Sequence, residues 1–193
     1  MRKLVQGIHH FEKNVFASQR ELFERLATTG QTPETLFITC SDSRVVPNLI
    51  TSSQPGELFI VRNVGNGVGP TDLPGATSAA LEYAVQVLNV DDIIVCGHMQ
   101  CGAMQAILDP KRLEGLPYVR RWLVATERVR DIIETRYAHL DDEAKLSVAV
   151  LENVLVQLEN LRAFPFVAER LAAGTLRISG WVFDIATGKV HHY

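Results

Sequence analysis

The chain has 193 residues, 47% of them apolar and 21% charged, which suits a single globular domain with one filled core. Nineteen basic against 22 acidic residues give a formal charge of −3; that balance carries no footprint for nucleic acid or an anionic membrane surface, and neither is an expected partner. No apolar run approaches the roughly 18 to 20 residues of a membrane span, and the opening Met1-Arg2-Lys3 leads into no uninterrupted apolar signal region, so the sequence predicts a cytoplasmic protein.

From Lys3 to about Thr28 the residues Leu4, Ile8, Phe11, Val15, Phe16, Leu22, Phe23 and Leu26 recur at helical spacing. Two amphipathic helices are expected, joined near Asn14 to Ser18, with Ser18 as N-cap and Glu21 completing a capping box. This arm, residues 1–29, precedes the first strand and has no place inside a simple sheet wrapping. Its apolar side needs a surface, on a second subunit or on its own sheet. Gly30-Gln31-Thr32-Pro33 is a turn by composition, and Gln31 taken alone is a solvated loop residue.

Thr35 to Thr39 forms the first strand, ending at Cys40, and Asn48 is placed to cap a helical turn at Leu49-Ile50. Glu57 to Val61 is the second strand, running into the glycine-rich loop Arg62 to Pro70. That loop has neither a GxGxxG pattern nor the Gly-Lys-Ser/Thr ending of a phosphate cradle, so its glycines read as tight backbone turns. Thr77 to Leu88 is a helix apolar on most faces and therefore buried. Asp92 to Cys96 is the third strand, with Gly97 as the turn, and a helix starts at Gly102. Val119 to Tyr137 and Glu143 to Leu161 read as long amphipathic helices, and Pro165 to Ala172 as a shorter one. Leu176 to Ile185 is a strand that turns at Ala186-Thr187-Gly188 into Lys189 to Tyr193, a hairpin at a sheet edge. The fold class is α/β: about four parallel strands plus an antiparallel C-terminal edge strand, flanked by helices. The arm and the core at 34–193 count as one domain.

Two apolar strands end abruptly in metal-capable residues, Cys40-Ser41-Asp42-Ser43-Arg44 and His98-Met99-Gln100-Cys101. In a doubly wound sheet both ends reach the same edge, where such sheets keep their ligand crevices. An odd cysteine count with a His-x-x-Cys spacing points to reduced thiols and a metal, whereas Cys96, inside a strand, is a small buried hydrophobe. Cys40, His98 and Cys101 form the cluster, a ligand set that suits zinc. No further cysteine is available to close the site, and the other histidines sit on the arm, a helix end and the hairpin. Asp42 is the nearest remaining ligand type. It either ligates the metal or is held off it by Arg44, which leaves a water to ionise near pH 7.

These residues carry a resemblance. Cys40 to Arg44 together with His98 to Cys101 resembles the β-class carbonic anhydrases, and Gln54-Pro55-Gly56-Glu57, Val61-Arg62-Asn63-Val64 and Glu82-Tyr83-Ala84-Val85 are similar to segments of that family. The opening and middle of the chain look most like cyanobacterial carboxysomal members. The resemblance implies zinc on Cys40, His98 and Cys101, with Asp42 a fourth ligand only in a closed state and Asp42 and Arg44 the gating dyad. It implies hydroxide on zinc attacking carbon dioxide to yield bicarbonate and a proton. Gln31 falls where a glutamine of the neighbouring subunit hydrogen-bonds substrate, Phe59, Val64 and Tyr83 where the carbon dioxide pocket is lined, and Gly102 at a backbone donor near the zinc. It further implies a homodimer or larger assembly, and for a carboxysomal member a location within that compartment with scaffold proteins as partners. Phe37 and Phe183 stand where relatives with an inhibitory bicarbonate site carry tryptophan and tyrosine, although Arg62 remains, so the form without that site is expected. The loop from Gly65 to Gly75 departs from many relatives. Two alternatives share the ligands: a carbon disulfide or carbonyl sulfide hydrolase, marked by a long narrow apolar tunnel, and a zinc scaffold without turnover, which has no need of the dyad.

Overall fold

The computed structural model describes residues 1–72 and 74–193, so Leu73, in the divergent loop, lies outside the described residues. The chain divides into two compact units, Met1–Thr32 and Pro33–Tyr193. In the first, α1 (Arg2–His10) passes through a π-helical turn, Phe11–Val15, into the short α2 (Phe16–Ser18). The chain breaks at Gln19 and resumes as α3 (Arg20–Thr29), which stops at Gly30 with φ of 78°. Phe11, Phe16 and Phe23 hold this unit together, with ring centroids 5.4 to 6.3 Å apart. Ser18 does not cap α3, contrary to the expectation from its spacing to Glu21. It is still helical itself, and its hydroxyl donates back to the Val15 carbonyl at 2.9 Å.

The second unit is built on a five-stranded sheet in the order β2-β1-β3-β4-β5. The strands are β1 (Thr35–Cys40), β2 (Leu58–Asn63), β3 (Asp92–His98), β4 (Arg177–Phe183) and β5 (Val190–His192). The first four pair in parallel and β5 runs antiparallel to β4 along the edge. The predicted hairpin is thus split in role: β4 is an interior parallel strand, and only β5 supplies the antiparallel edge. Leu36, Phe37, Ile38, Ile93, Val95 and Cys96 are fully buried, as continuous apolar runs in parallel strands require. From β1 the chain turns outward to β2, then crosses back to β3 and continues to β4. The winding therefore reverses between β1 and β3, the position where open α/β sheets hold their ligands.

Between β1 and β2 the chain forms α4 (Pro47–Thr51), which opens on Pro47 with Val46 as N-cap. Proline fits the first helical position because its missing N–H is not needed there. Asn48 is consequently inside the helix, and its amide donates to Ser53 Oγ at 3.0 Å instead of capping. The helix α5 (Ala76–Glu82) continues as a π-helical turn, Tyr83–Val87, and α6 (Gly102–Leu108) follows the second metal-capable loop. The single helix expected over 119–137 is broken into α7 (Pro117–Leu123), a 3-10 turn at Val124–Thr126 and α8 (Arg128–Arg136). The break has a packing cause: Trp122 and Leu123 are drawn onto the Val64 to Gly67 loop, while Val129 and Ile133 are buried in the core.

The long helix α9 (Asp142–Arg162) is capped by Asp141, which accepts from the Ala144 amide at 2.8 Å; α10 (Pro165–Ala172) follows it. Close approach of α9 to the sheet depends on two glycines. A Cβ added at Gly97 would lie 2.8 Å from Val154 Cγ2, and one at Gly180 2.6 Å from Val154 Cγ1. Among the described residues no helix is long and apolar enough to cross a membrane.

Candidate metal centre

Cys40 is the last residue of β1 and His98 the last of β3, and the two strands are direct neighbours in register Thr39↔Cys96. Gln100, at φ 57°, turns the chain back so that Cys101 sits at the N-cap of α6. The two sulfurs and the imidazole nitrogen lie within 4.8 Å of one another, all three residues buried. His98 Nδ1 is 3.0 Å from the Met99 carbonyl, an oxygen that can only accept, so in the neutral ring the proton is on Nδ1 and Nε2 carries a lone pair. That Nε2 is buried with no hydrogen-bond partner. An acceptor so placed is costly unless a cation meets it, and the backbone bond on the other nitrogen is the usual way a metal-binding histidine is oriented.

The sulfurs have the same character. The Cys101 thiol beside it brings Cys40 down from 9.0 to about 4 against the cost of burial, and the backbone amides of Gly65 and Asp42 act in the same direction. The same Cys40 sulfur pushes Cys101 up, although the amides of Met104 and Ala103 at the start of α6 favour its thiolate. Two neighbouring buried thiols, one favoured as thiolate by the other and by nearby amides, make a donor set suited to a soft or borderline dication. Cys96 is different: burial alone pushes it up to about 12, as expected of a structural thiol.

Asp42 and Arg44 form a fork. Arg44 Nε and Nη2 donate to Oδ1 and Oδ2 at 2.9 and 2.8 Å, and the Arg44 amide adds a third bond to Oδ1 at 2.9 Å. Arg44 thereby holds the Asp42 carboxyl well below the usual carboxylate range. Asp42 Oδ2 stands 3.8 Å from His98 Nε2, beside the cluster and committed to the arginine. Arg62 takes a part that its sequence position did not reveal: Nε and Nη2 donate to the Cys40 carbonyl at 3.2 Å, and Nη2 to the Asp42 carbonyl at 2.7 Å. Its guanidinium fastens the turn that carries both functional residues.

The glycine loop is held by α9. Asn153 donates to the Gly65 carbonyl at 3.0 Å, Gln157 accepts from the Val68 amide at 2.7 Å, and Asn160 donates to the Val68 carbonyl at 3.1 Å. The signal for this was available as three amides at i, i+4 and i+7, one stripe along an amphipathic helix. Asn63 adds a clasp across the loop, accepting from the Gly67 amide at 2.7 Å and donating to its carbonyl at 2.8 Å.

The expected site residues divide into groups. Asp42, Arg44 and Gly102 fall beside Cys40, His98 and Cys101, and Val64 immediately follows β2 at the same edge. Phe59 and Tyr83 pack on each other, with centroids 6.0 Å apart, but Phe59 pairs with Leu36, four residues before Cys40. In one chain that places the Phe59 backbone about 13 Å down the sheet from Cys40. Gln31 belongs to the first unit. Phe37 meets Trp181 edge to face at 5.9 Å, and Phe183 pairs with His98 across β3 and β4.

The structure thus places a buried Cys-His-Cys group that could hold a metal ion at the switch point of a mainly parallel α/β sheet, beside a carboxylate restrained by arginine. Residues 35–190 match the family model described as carbonic anhydrase. The chain is 44% identical to a carbonic anhydrase of Synechococcus elongatus, covering 98% of this chain and 70% of that protein, and 47% identical to one of Pseudomonas aeruginosa, covering 98% and 86%. Among solved structures, the β-carbonic anhydrase CcaA superposes with a TM-score of 0.97 at 46% identity, covering 100% of this chain and 87% of that one. A tetrameric β-carbonic anhydrase of Sordaria macrospora gives 0.90 at 31%, covering 99% and 95%. The chain belongs to the carbonic anhydrase family, in its β class.

Proposed function

We propose that this protein reversibly hydrates carbon dioxide to bicarbonate and a proton at a zinc ion held by Cys40, His98 and Cys101. The observation that carries the reading is the buried Cys40, His98 and Cys101 group, whose ligand atoms lie within 4.8 Å of one another and whose His98 Nε2 has no hydrogen-bond partner. Zinc on this donor set supplies Lewis acidity that brings the ionisation of water close to pH 7. The chain supplies the rest. Arg44 occupies both Asp42 oxygens, which keeps the carboxylate off the fourth position and makes the pair the gate. Asp42 Oδ2 accepts only one N–H and retains a lone pair for the O–H of the attacking water, which orients it. Gly102, the first residue of α6, offers a backbone N–H for an oxygen of substrate.

Carbon dioxide is apolar, and the pocket for it is assigned to Val64 with Phe59, Tyr83 and Gln31 of a second copy. The distance of the Phe59 and Tyr83 pair from the cluster within one chain supports that assignment, as does the half-exposure of Tyr83 and the exposed apolar residues Leu4, Ile8 and Phe11 of the arm. A homodimer, or a larger assembly of dimers, is therefore the working form. Phe37 and Phe183 in place of a tryptophan and a tyrosine, and an Arg62 engaged with its own backbone, support the form without an inhibitory bicarbonate site. Likeness to cyanobacterial enzymes supports a cytoplasmic location inside a carboxysome, with scaffold proteins as partners.

The test is stopped-flow hydration of carbon dioxide across roughly pH 6 to 9, a window that brackets the ionisation of zinc-bound water, on protein with zinc quantified. The expected result is activity rising with pH and lost in Cys101→Ser. One zinc per chain without hydration at any pH would overturn the assignment and bring the sulfur analogues of carbon dioxide forward.

A further inference from the structure

A pocket of about 730 Å³ lies outside the metal centre, between the glycine loop and the turn that joins α7 to α8. Its volume falls within the roughly 300 to 1,000 Å³ of small-molecule sites. Val68, Pro70, Pro74, Trp122 and Val124 give it mostly apolar walls. Trp122 brings only its ring, because the indole N–H is engaged with the Val64 carbonyl. The loop backbone is engaged as well: both polar groups of Gly67 bond to Asn63, and those of Val68 to Gln157 and Asn160. Ser78 is closed on Gly75.

The polar side chains left over can all donate. Thr126 lines the pocket at 3% exposure, and its hydroxyl has no hydrogen-bond partner among the described residues. Thr77, 6% exposed, accepts from Asn63 Nδ2 at 3.1 Å and has no acceptor of its own among them, so its O–H is free to donate. Arg121 lines the pocket with neither an ion pair nor a side-chain hydrogen bond among the described residues. No Asp, Glu or His lines it beside them. An unpaired guanidinium next to apolar walls suits a carboxylate or sulfonate, which it can meet with two parallel bonds, and buried hydroxyls without partners are costly until a ligand engages them. We propose that this pocket binds a small organic anion with a flat apolar body, its ring on Trp122 and Val124, its charge paired to Arg121, and its polar atoms met by Thr77 and Thr126. The arm of a second copy is a poorer occupant, since it would bring Arg2, Lys3 and Lys13 towards Arg120 and Arg121. The inference does not depend on the metal reading.

The test separates recognition of charge from simple adsorption to an apolar surface. The probe is anilinonaphthalenesulfonate, with uncharged phenylnaphthylamine as its control, titrated by fluorescence and equilibrium dialysis on the full chain. The expected result is one saturable sulfonate site per chain, unchanged when metal is removed by a chelator. Arg121→Met, which keeps the apolar stem, should weaken the sulfonate by about 10-fold and leave the naphthylamine unchanged. Thr126→Val removes the hydroxyl at constant shape and should weaken the sulfonate by about 2 to 10-fold; if that variant fails to fold, Arg121→Met alone decides. No saturable binding, or equal sulfonate affinity in Arg121→Met and wild type, overturns the proposal. Loss of binding on chelation would put the probe at the metal centre, and binding that appears only when the protein is diluted to monomer would give the pocket to a second copy; either outcome overturns it as well.

Discussion

Gly97 is where a single methyl group should disturb both stability and the metal site. An alanine Cβ there would stand 2.8 Å from Val154 Cγ2 and 3.3 Å from Val150 Cγ1. Both valines are buried on α9, Val154 fully and Val150 to within 1%. Gly97 is not at positive φ, so the penalty is steric and not conformational. Either α9 lifts from the sheet or the end of β3 bends, and overpacking of this kind costs about 1 to 3 kcal/mol. At roughly 2 to 4 °C per kcal/mol for a chain of this size, Gly97→Ala should melt about 2 to 12 °C lower. The next residue is His98, so displacement of the strand end should weaken metal binding as well. Thermal unfolding of the zinc-free protein measures the first effect and chelator competition the second. Gly69→Ala is the control, since a Cβ there meets nothing within 4 Å. Val154→Ala removes the closer methyl, so in the double mutant the two costs should fall short of their sum by about 0.5 to 3 kcal/mol, the coupling of residues in contact. Melting of Gly97→Ala within about 1 °C of wild type, or strict additivity with Val154→Ala, would refute the packing argument.

Three further outcomes follow from the geometry. Arg62→Met removes the bonds to the Cys40 and Asp42 carbonyls, so hydration should fall by about 10 to 100-fold with one zinc retained per chain; undiminished activity would remove Arg62 from the site. Asp42, depressed below its ordinary 3.8 by Arg44, contributes stability that is fully present above the unfolded pKa and lost as pH falls through the lower folded value. In zinc-free protein the stability deficit of Asp42→Asn should therefore stay constant from pH 6 to 9 and shrink only in acid, below about pH 4; denaturant midpoints that diverge between pH 6 and 9 would contradict this. Tyr137→Phe takes the 2.9 Å hydroxyl bond from Glu152, a residue only 9% exposed, and should cost about 1 to 3 kcal/mol in urea unfolding without changing hydration.

The parts of this protein that were legible in the sequence share one property, that their signal is local. Apolar runs such as Leu36-Phe37-Ile38 and Ile93-Ile94-Val95 mark buried parallel strands, and a cysteine or histidine at the end of each marks the edge where Cys40, His98 and Cys101 come together. Asp42 and Arg44 are two residues apart, so their pairing needs nothing beyond one tight turn. Local chemistry misled only where two devices competed for the same residue. Ser18 has the spacing of a capping box with Glu21, yet as a helical residue it reached back to Val15; Asn48 has a capping side chain, yet Pro47 before it took the first helical position.

What stayed hidden is set by approach between distant segments. Nothing near Trp122 in sequence announces that its N–H ends at Val64, and a periodic pattern over 119–137 gives no warning that this contact divides the helix. The amides Asn153, Gln157 and Asn160 were visible as a polar stripe, but their partners are loop backbone groups, which every sequence contains. Phe59 and Tyr83 show the deepest version of the difficulty. Register places Phe59 opposite Leu36, four residues short of the ligand edge, and no rotamer of a phenylalanine spans about 13 Å of strand. If these rings line a pocket at the cluster, the cluster belongs to another copy, and the smallest complete site is made by two chains.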